Sequence, residues 1–259
     1  MKTYEFDGEK YKNASSAQKE WGESLISKIS LQGNEKILDL GCGDGYLTEQ
    51  LSLLVPSGNV LGIDASVGMI KTAKKICRDN LDFVHMDINN LCFSNEFDII
   101  FSNAALHWVK DHNQLLQNSY TALKVGGILL WDFGSDGNCS NFLSVMQRKI
   151  TEDKYIDFFI DFEMPWFMPS KSHYTKLIAD IGYSRFTITE VNRDRFFPSS
   201  DEIIKWIDQP CIVPFMECIP DIHKSTFRNE VIEEMLERTR QPDGTCFETF
   251  RRLQVYAQK

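Results

Sequence analysis

Three aspartates, Asp39, Asp64 and Asp87, close short apolar runs that read "KILD", "NVLGID" and "LDFVHMD". The first run leads into Gly41, Gly43 and Gly45, set at alternate positions before a helical pattern starts at Tyr46. A glycine-rich turn between strand and helix exposes backbone N–H groups and admits a ligand closely, and its usual guest is a phosphate. Here Asp39 at the strand end and Asp44 within the turn would repel an anion, so the turn is suited to a cation. The spacing also departs from the dinucleotide fingerprint G-x-G-x-x-G, because Tyr46 stands where its last glycine belongs.

Alternating strand and helix patterns must position these residues. "KILDL" reads as a buried strand, followed by a helix over 46–54 that stops before Val55-Pro56-Ser57-Gly58. "NVLGID" is a second strand, and Ser66 is placed to cap a helix carrying Met69, Ile70, Ala73 and Ile76. "LDFVHMD" and "FDIIFSN" are further strands, then a helix over 112–123 ends at "KVGG", where glycine suits a left-handed cap, and "GILLWDF" resumes as a strand. Strands separated by helices of this length pair in parallel through right-handed crossovers. The fold class is therefore α/β, a Rossmann-like doubly wound sheet. Beyond Phe133 the chain turns aromatic and methionine-rich. "SRFTITEVNRDRFF" and "TCFETFRRLQVYAQ" then alternate as strands on either side of a helical stretch broken by Pro210, Pro214 and Pro220. They suggest an antiparallel edge pair.

S-adenosylmethionine meets the requirement for a cation, having a sulfonium and an α-ammonium but no phosphate. In "LDLGCGDG" the sequence resembles the class I S-adenosylmethionine-dependent methyltransferases, and "VLGIDASVGMI", "FVHMDINNL", "FDIIFSNAALHWVKDHNQLL" and "LKVGGILLW" are similar to their later motifs. The resemblance implies a seven-stranded sheet with the last strand antiparallel and helical cap insertions. It implies one methyltransferase domain over 1–259, with an N-terminal helical lid (1–30), a cofactor-binding core (31–133) and cap insertions at 134–170 and 199–244. It further implies that Asp64 takes the ribose hydroxyls, Asp87 the adenine amino group, and Ile88 a face of that ring. Asp39, Gly41, Cys42, Gly43, Ala65, Met69, Asn103 and Ala104 complete the expected cofactor contacts. "YKNASSAQ", "NAALHWVKDH" and, more weakly, "WIDQPCIVPF" and "PDGTCFETFRRLQVYAQ" resemble the small-molecule branch that includes trans-aconitate, malonyl-carrier-protein and juvenile hormone acid methyltransferases. That resemblance brings Tyr11 and Gln18 to the methionine portion of the cofactor.

Methyl transfer from a sulfonium needs alignment rather than a nucleophilic residue of the enzyme. A carboxylate acceptor needs no base at neutral pH, whereas a hydroxyl or amine usually does. His107, after the fourth strand, is the candidate base or orienter. Trp108, Trp131, Trp166, Arg195 and Trp206 are the remaining expected substrate contacts, with Arg193 and Lys205 as further partners for a carboxylate. The leading expectation is O-methylation of a small carboxylic acid or hydroxyl compound. The alternatives are methylation of nitrogen or carbon, or a cofactor-binding regulatory protein without activity. An NAD-dependent oxidoreductase is a more distant reading.

Composition narrows the field. The chain has 259 residues, a net charge of -9 and a pI near 5.1, with no lysine and arginine run of the kind that tracks nucleic acid. No apolar stretch suits a membrane span, and the expected setting is cytoplasmic, as a monomer or homodimer. Seven scattered cysteines and His85, His112, His173 and His223 show no metal-ligand spacing, so no metal is expected.

Overall fold

The computed structural model describes residue 5 and residues 16–259; the expected cofactor contact Tyr11 lies outside them. The strand of the glycine motif, β1 (Lys36–Leu40), is central. It pairs in parallel with β2 (Asn59–Asp64) on one side and β4 (Phe97–Asn103) on the other. β3 (Leu81–His85) extends the sheet beyond β2, and β5 (Leu123–Gly134) extends it beyond β4. The terminal strand β9 (Arg251–Gln258) runs antiparallel to β5, with Arg252 opposite Gly134. β6 (Arg185–Asn192) completes the seven-stranded order β3-β2-β1-β4-β5-β9-β6. Bonds from Ser184 N to Gln258 O and from Arg193 N to Phe250 O show that β6 and β9 run in opposite directions. The strand order reverses between β1 and β4, which makes their carboxyl ends the crevice where such sheets bind ligands.

Neighbouring residues of one strand feed different cores. Leu38 and Leu40 join Ile63, Ile100, Trp131 and Phe133 on one face of the sheet, whereas Ile37 joins Val60, Ile99, Phe101 and Leu130 on the other. Helices α1 (Ser16–Ile26), α2 (Tyr46–Leu54) and α3 (Val67–Ala73) contribute Leu25, Leu51 and Ile70 to the second face. Helices α4 (His112–Ala122) and α6 (Lys171–Ala179) contribute Leu115, Leu116, Tyr174 and Ile178 to the first. Burial on both faces, at about 1.5 to 3 kcal/mol for each large aliphatic side chain, is what makes the parallel strands read as unbroken apolar runs.

The chain divides into two compact units. The first holds Met1–Asp136, Trp166–Val191 and Arg252–Lys259; the second holds Gly137–Pro165 and Asn192–Arg251. In the second, α5 (Ser140–Lys149) and α9 (Asp221–Thr239) pack together, and the buried Glu248 carboxylate accepts the Asn141 and Phe142 amides at the start of α5. Pro214 sits in the first turn of α8 (Val213–Met216), which follows α7 (Ser200–Trp206), and Pro220 caps α9, so these prolines begin helices rather than only ending them.

Two local readings need correction. The helix over 112–122 does not end on the glycines of "KVGG": Leu123 is its cap and turns directly extended, pairing with Phe97, so the glycines fall inside β5 where its register with β4 shifts. Each of the two late alternating segments is also two strands. β7 (Arg195–Phe197) and β8 (Cys246–Glu248) leave the main sheet to form their own antiparallel pair. The breaks face each other, with Asp194 accepting the Phe250 amide and pairing with Arg251. Local alternation is indifferent to which partner a strand finds, and so missed both interruptions.

No helix among the described residues is long and apolar enough to cross a membrane.

Candidate active site

The glycine turn is anchored to the neighbouring strand: the Gly41 and Cys42 amides both donate to Ile63 O, at 2.8 and 2.9 Å. Gly41 has φ 73° and its missing Cβ would lie 2.2 Å from Ala105 Cβ, so the turn and the loop after β4 meet at a point only glycine allows. Gly43, at φ 55°, differs because a Cβ there would meet nothing within 4 Å. The turn is thus packed tightly at Gly41 and open at Gly43, which is the side left for a ligand.

The acids around the turn have unequal roles. Asp39 is buried and accepts the Thr48 hydroxyl at 2.8 Å; burial pushes its carboxyl up to about 7, with that hydrogen bond opposing and Asp64 adding to the rise. Asp44 already has a cation, Lys19 Nζ at 2.9 Å. Asp64 holds the turn in shape, accepting Gly43 N at 3.0 Å and Ser66 N at 2.9 Å, and its oxygens retain lone pairs for further donors. Burial raises its pKa, opposed by those two amides. Asp87 caps the short turn 88–90, accepting both the backbone and side-chain nitrogen of Asn89 on Oδ1. Ile88 is buried beside it, near the Cβ that Gly41 lacks. Ser66 caps α3, whose Met69 is buried, and Ala65 O lies 2.9 Å from His85 Nε2. Contrary to the expectation from sequence, Asp44 is neutralised by Lys19, and Asp39 is sealed beneath the turn on Thr48.

A different observation supports a cationic guest. Helix α1 brings Gln18 to the end of β4, where Asn103 Nδ2 donates to Gln18 O at 2.8 Å. That bond orients Asn103, and the two side-chain oxygens, Gln18 Oε1 and Asn103 Oδ1, are buried without a donor among the described residues. A buried acceptor left unsatisfied costs free energy unless a ligand supplies N–H groups. An α-ammonium fits them. Next to Asn103, Ala104 is held at φ 58°, its amide donating to Asp132 O at 2.7 Å. A left-handed non-glycine residue at this position is strain stored beside the crevice.

His107 follows, on the short turn 106–108, with its Nδ1 buried and unpartnered among the described residues. Burial lowers its pKa to about 3, and the charges of Arg252 and His112 act in the same direction. The ring is neutral at physiological pH and a weak base, so a general-base role is not supported by its environment. Trp108 lies edge-on to Trp166, with ring centroids 5.5 Å apart, and 5.7 Å from the His107 ring. Trp131, expected at the substrate, has no accessible surface and belongs to the core. Trp206 is likewise buried, among Phe142, Phe197 and Phe250 of the second unit. Arg195 lies over Phe197 on β7, and Lys205 pairs with Glu202.

A family model described as a methyltransferase domain matches residues 38–131, which hold the glycine turn, Asp64, Asp87 and Asn103. The chain is an S-adenosylmethionine-dependent methyltransferase. This methyltransferase is 28% identical over 246 residues to an uncharacterized methyltransferase of Schizosaccharomyces pombe, covering 92% of the chain and 91% of that relative. It is 26% identical over 238 residues to trans-aconitate 2-methyltransferase of Mycobacterium tuberculosis, covering 90% and 89%. With malonyl-[acyl-carrier protein] O-methyltransferase of Bacillus anthracis it shares 37% identity over 132 residues, about half of each chain at 49%. Its fold is shared with phosphoethanolamine N-methyltransferase 2 of Haemonchus contortus in complex with S-adenosyl-L-methionine, at TM-score 0.62 and 16% identity, covering 97% of this chain and 56% of the other.

Several residues that hold the turn after β4 and the end of β5 were not singled out from the sequence. His112 joins Tyr174 Oη and Leu106 O, each at 3.0 Å, and so fixes the turn that carries His107. Asp132 and Arg252 form a buried ion pair at 2.6 Å, and Gln254 donates to the other Asp132 oxygen at 2.8 Å. Lys28 of the loop after α1 reaches Gln254 Oε1, and Trp21 of α1 lies against the Arg252 guanidinium. The available signal was a charged residue at a core position of a strand, Arg252 in "RRLQVYA". Among the described residues no group of three His, Cys, Asp or Glu side chains is placed to hold a metal ion.

Proposed function

We propose that this methyltransferase O-methylates a small carboxylic acid. The observation that carries the reading is the setting of His107, whose Nδ1 is buried and unpartnered among the described residues; that burial pulls the ring's pKa down to about 3 and keeps it neutral. A hydroxyl or ammonium acceptor would need a base near the crevice, and a carboxylate needs none. Asp39, whose carboxyl burial pushes up to about 7, is sealed on Thr48 and serves the turn. Relatives that are methyltransferases of trans-aconitate and of malonyl-[acyl-carrier protein] support the same substrate class.

When bound, S-adenosylmethionine supplies a methyl group on a sulfonium, open to in-line attack by an acceptor oxygen. In this reading Asp64 takes the ribose hydroxyls, Asp87 and Ile88 hold the adenine, and Met69 and Ala65 line its path. Gln18 and Asn103 accept from the ammonium through their unpartnered oxygens, and Gly43 leaves room for the chain. Tyr11 belongs to the same group by resemblance. Trp108 and Trp166 form an aromatic wall, and His107 orients the acceptor without moving a proton. In the same reading the insertions at 134–170 and 199–244 set selectivity; of the expected 1–30 lid, residues 1–4 and 6–15 lie outside the described residues. A cytoplasmic setting belongs to this reading, supported by seven cysteines that are all free thiols.

The experiment is methylation of a panel of free acids, hydroxyl compounds and amines with labelled cofactor, with the product characterised by mass spectrometry. A base-labile methyl ester is expected. A methyl group found on nitrogen or carbon instead would overturn the O-methyl assignment.

A further inference from the structure

Among the described residues of the first unit, Arg252 is the one buried cation, at 3% exposure. It stands opposite Gly134, at the carboxyl end of β5, and Asp132 in turn stands opposite Asn103 of β4. This is the end of the sheet that carries the crevice. The guanidinium is held on three sides: Nε donates to Asp132 Oδ1 at 2.6 Å, Nη2 to Asp132 O at 3.0 Å, and its face lies 4.9 Å from the centroid of the Trp21 ring. Asp132 is fully used by this arrangement, its second oxygen taking Gln254 at 2.8 Å. Nη1 is left over. It makes no hydrogen bond with a described residue.

A buried ion pair is an inefficient way to stabilise a fold, since an apolar pair of the same volume usually does as well. Its other use is to hold a planar fork of donors rigidly where a carboxylate must dock. The His107 ring feels the Arg252 charge and, being neutral, does not compete for an anion. A single edge of Nη1 would engage one carboxylate oxygen and leave the other free to react.

We propose that Arg252 recognises the carboxylate of the methyl acceptor through Nη1, with Asp132 and Trp21 holding the guanidinium in place; this rests on the acid-methylation reading above. The probes are trans-aconitate, monomethyl malonate, benzoate and dodecanoate, with wild-type protein, Arg252→Gln and Arg252→Lys. S-adenosylhomocysteine binding is measured by calorimetry for each protein, and kcat and KM for every acid that the wild type methylates. The expected result is a KM for the acid raised about ten- to a hundred-fold in Arg252→Gln, with kcat and S-adenosylhomocysteine affinity within about threefold of wild type. Arg252→Lys keeps the charge beside Asp132 but loses the fork, and should show an intermediate KM even if the glutamine variant does not fold. An unchanged KM, or a loss of S-adenosylhomocysteine affinity in step with KM, overturns the assignment and makes Arg252 a fastener of α1, while acid methylation stands. Methylation of none of the four acids overturns both readings together.

Discussion

Lys19 Nζ sits 2.9 Å from Asp44 Oδ2, so the N-terminal helix is latched to the glycine turn by an ion pair in which Asp44 is almost wholly buried. The same ammonium lies 5.0 Å from the Tyr46 ring centroid, and Tyr46 Oη donates to Glu23. Lys19→Met should leave Asp44 buried without its cation and loosen α1 from the turn, costing about 1 to 3 kcal/mol of stability. Because α1 carries Gln18, S-adenosylhomocysteine affinity should fall as well. Calorimetric unfolding and binding on the same variant check both effects.

Asp64→Ala should weaken S-adenosylhomocysteine binding by about 1 to 3 kcal/mol, through lost acceptors for the ribose and through release of the Gly43 amide that Asp64 holds. Asp64→Asn, which preserves one carbonyl acceptor, should lose less. Isothermal titration of the two variants orders them, and an unchanged affinity in the alanine variant would move the ribose elsewhere.

Gly41→Ala and Gly43→Ala should separate packing from ligand space. The first adds left-handed strain and a collision with Ala105, about 3 kcal/mol of stability together; Ala105→Gly should recover part of it in the double variant. The second meets no atom and should cost only about 1 to 2 kcal/mol, yet weaken S-adenosylhomocysteine binding more than its stability loss implies. Denaturant unfolding with and without S-adenosylhomocysteine tells the two apart.

Asp39 gives a pH signature. Its folded pKa of about 7 lies above the unfolded value of 3.8, so between these limits the folded state holds a proton that the unfolded state has lost. This group therefore lowers stability progressively as pH rises from about 4 to 7. Asp39→Asn keeps an acceptor for Thr48 and should gain about 4 kcal/mol relative to wild type across that window. Urea unfolding at pH 4.5 and pH 8 would show a difference that grows with pH.

His107→Gln should reduce kcat on an acid by less than about tenfold, far short of the 10²–10⁴ expected on loss of a general base. The pH–rate profile of wild type should show no limb near 6.5, since burial pulls the ring's pKa down to about 3. In stability the sign is opposite to that of Asp39: the unfolded ring takes up a proton below about 6.5 and the folded one only near 3, so His107 lowers stability as pH falls through that range. A limb near 6.5 that vanishes in His107→Gln would restore the base assignment.

The order of strands and helices was legible because each β–α unit carries its own periodicity, turn residues and caps, all local in sequence. So were the glycine turn and the acids at three consecutive strand ends, since a motif of that kind is a contiguous segment. Local reading failed where the partner lay far along the chain. Asp44 was expected to attract a ligand and instead holds Lys19, and the Asp132–Arg252 pair joins residues 120 positions apart. Trp131 looks like any aromatic residue at a strand end until the sheet and its helices bury it completely. His107 and Asp39 carry ordinary pKa values as free side chains, and only packing moved them to about 3 and about 7. Alternation, capping and turn geometry are set by neighbours in sequence, and they determined the fold and the methyl donor. Charge state, burial and the free edge of Arg252 depend on neighbours in space, through desolvation and pairing, and those the tertiary structure alone decided.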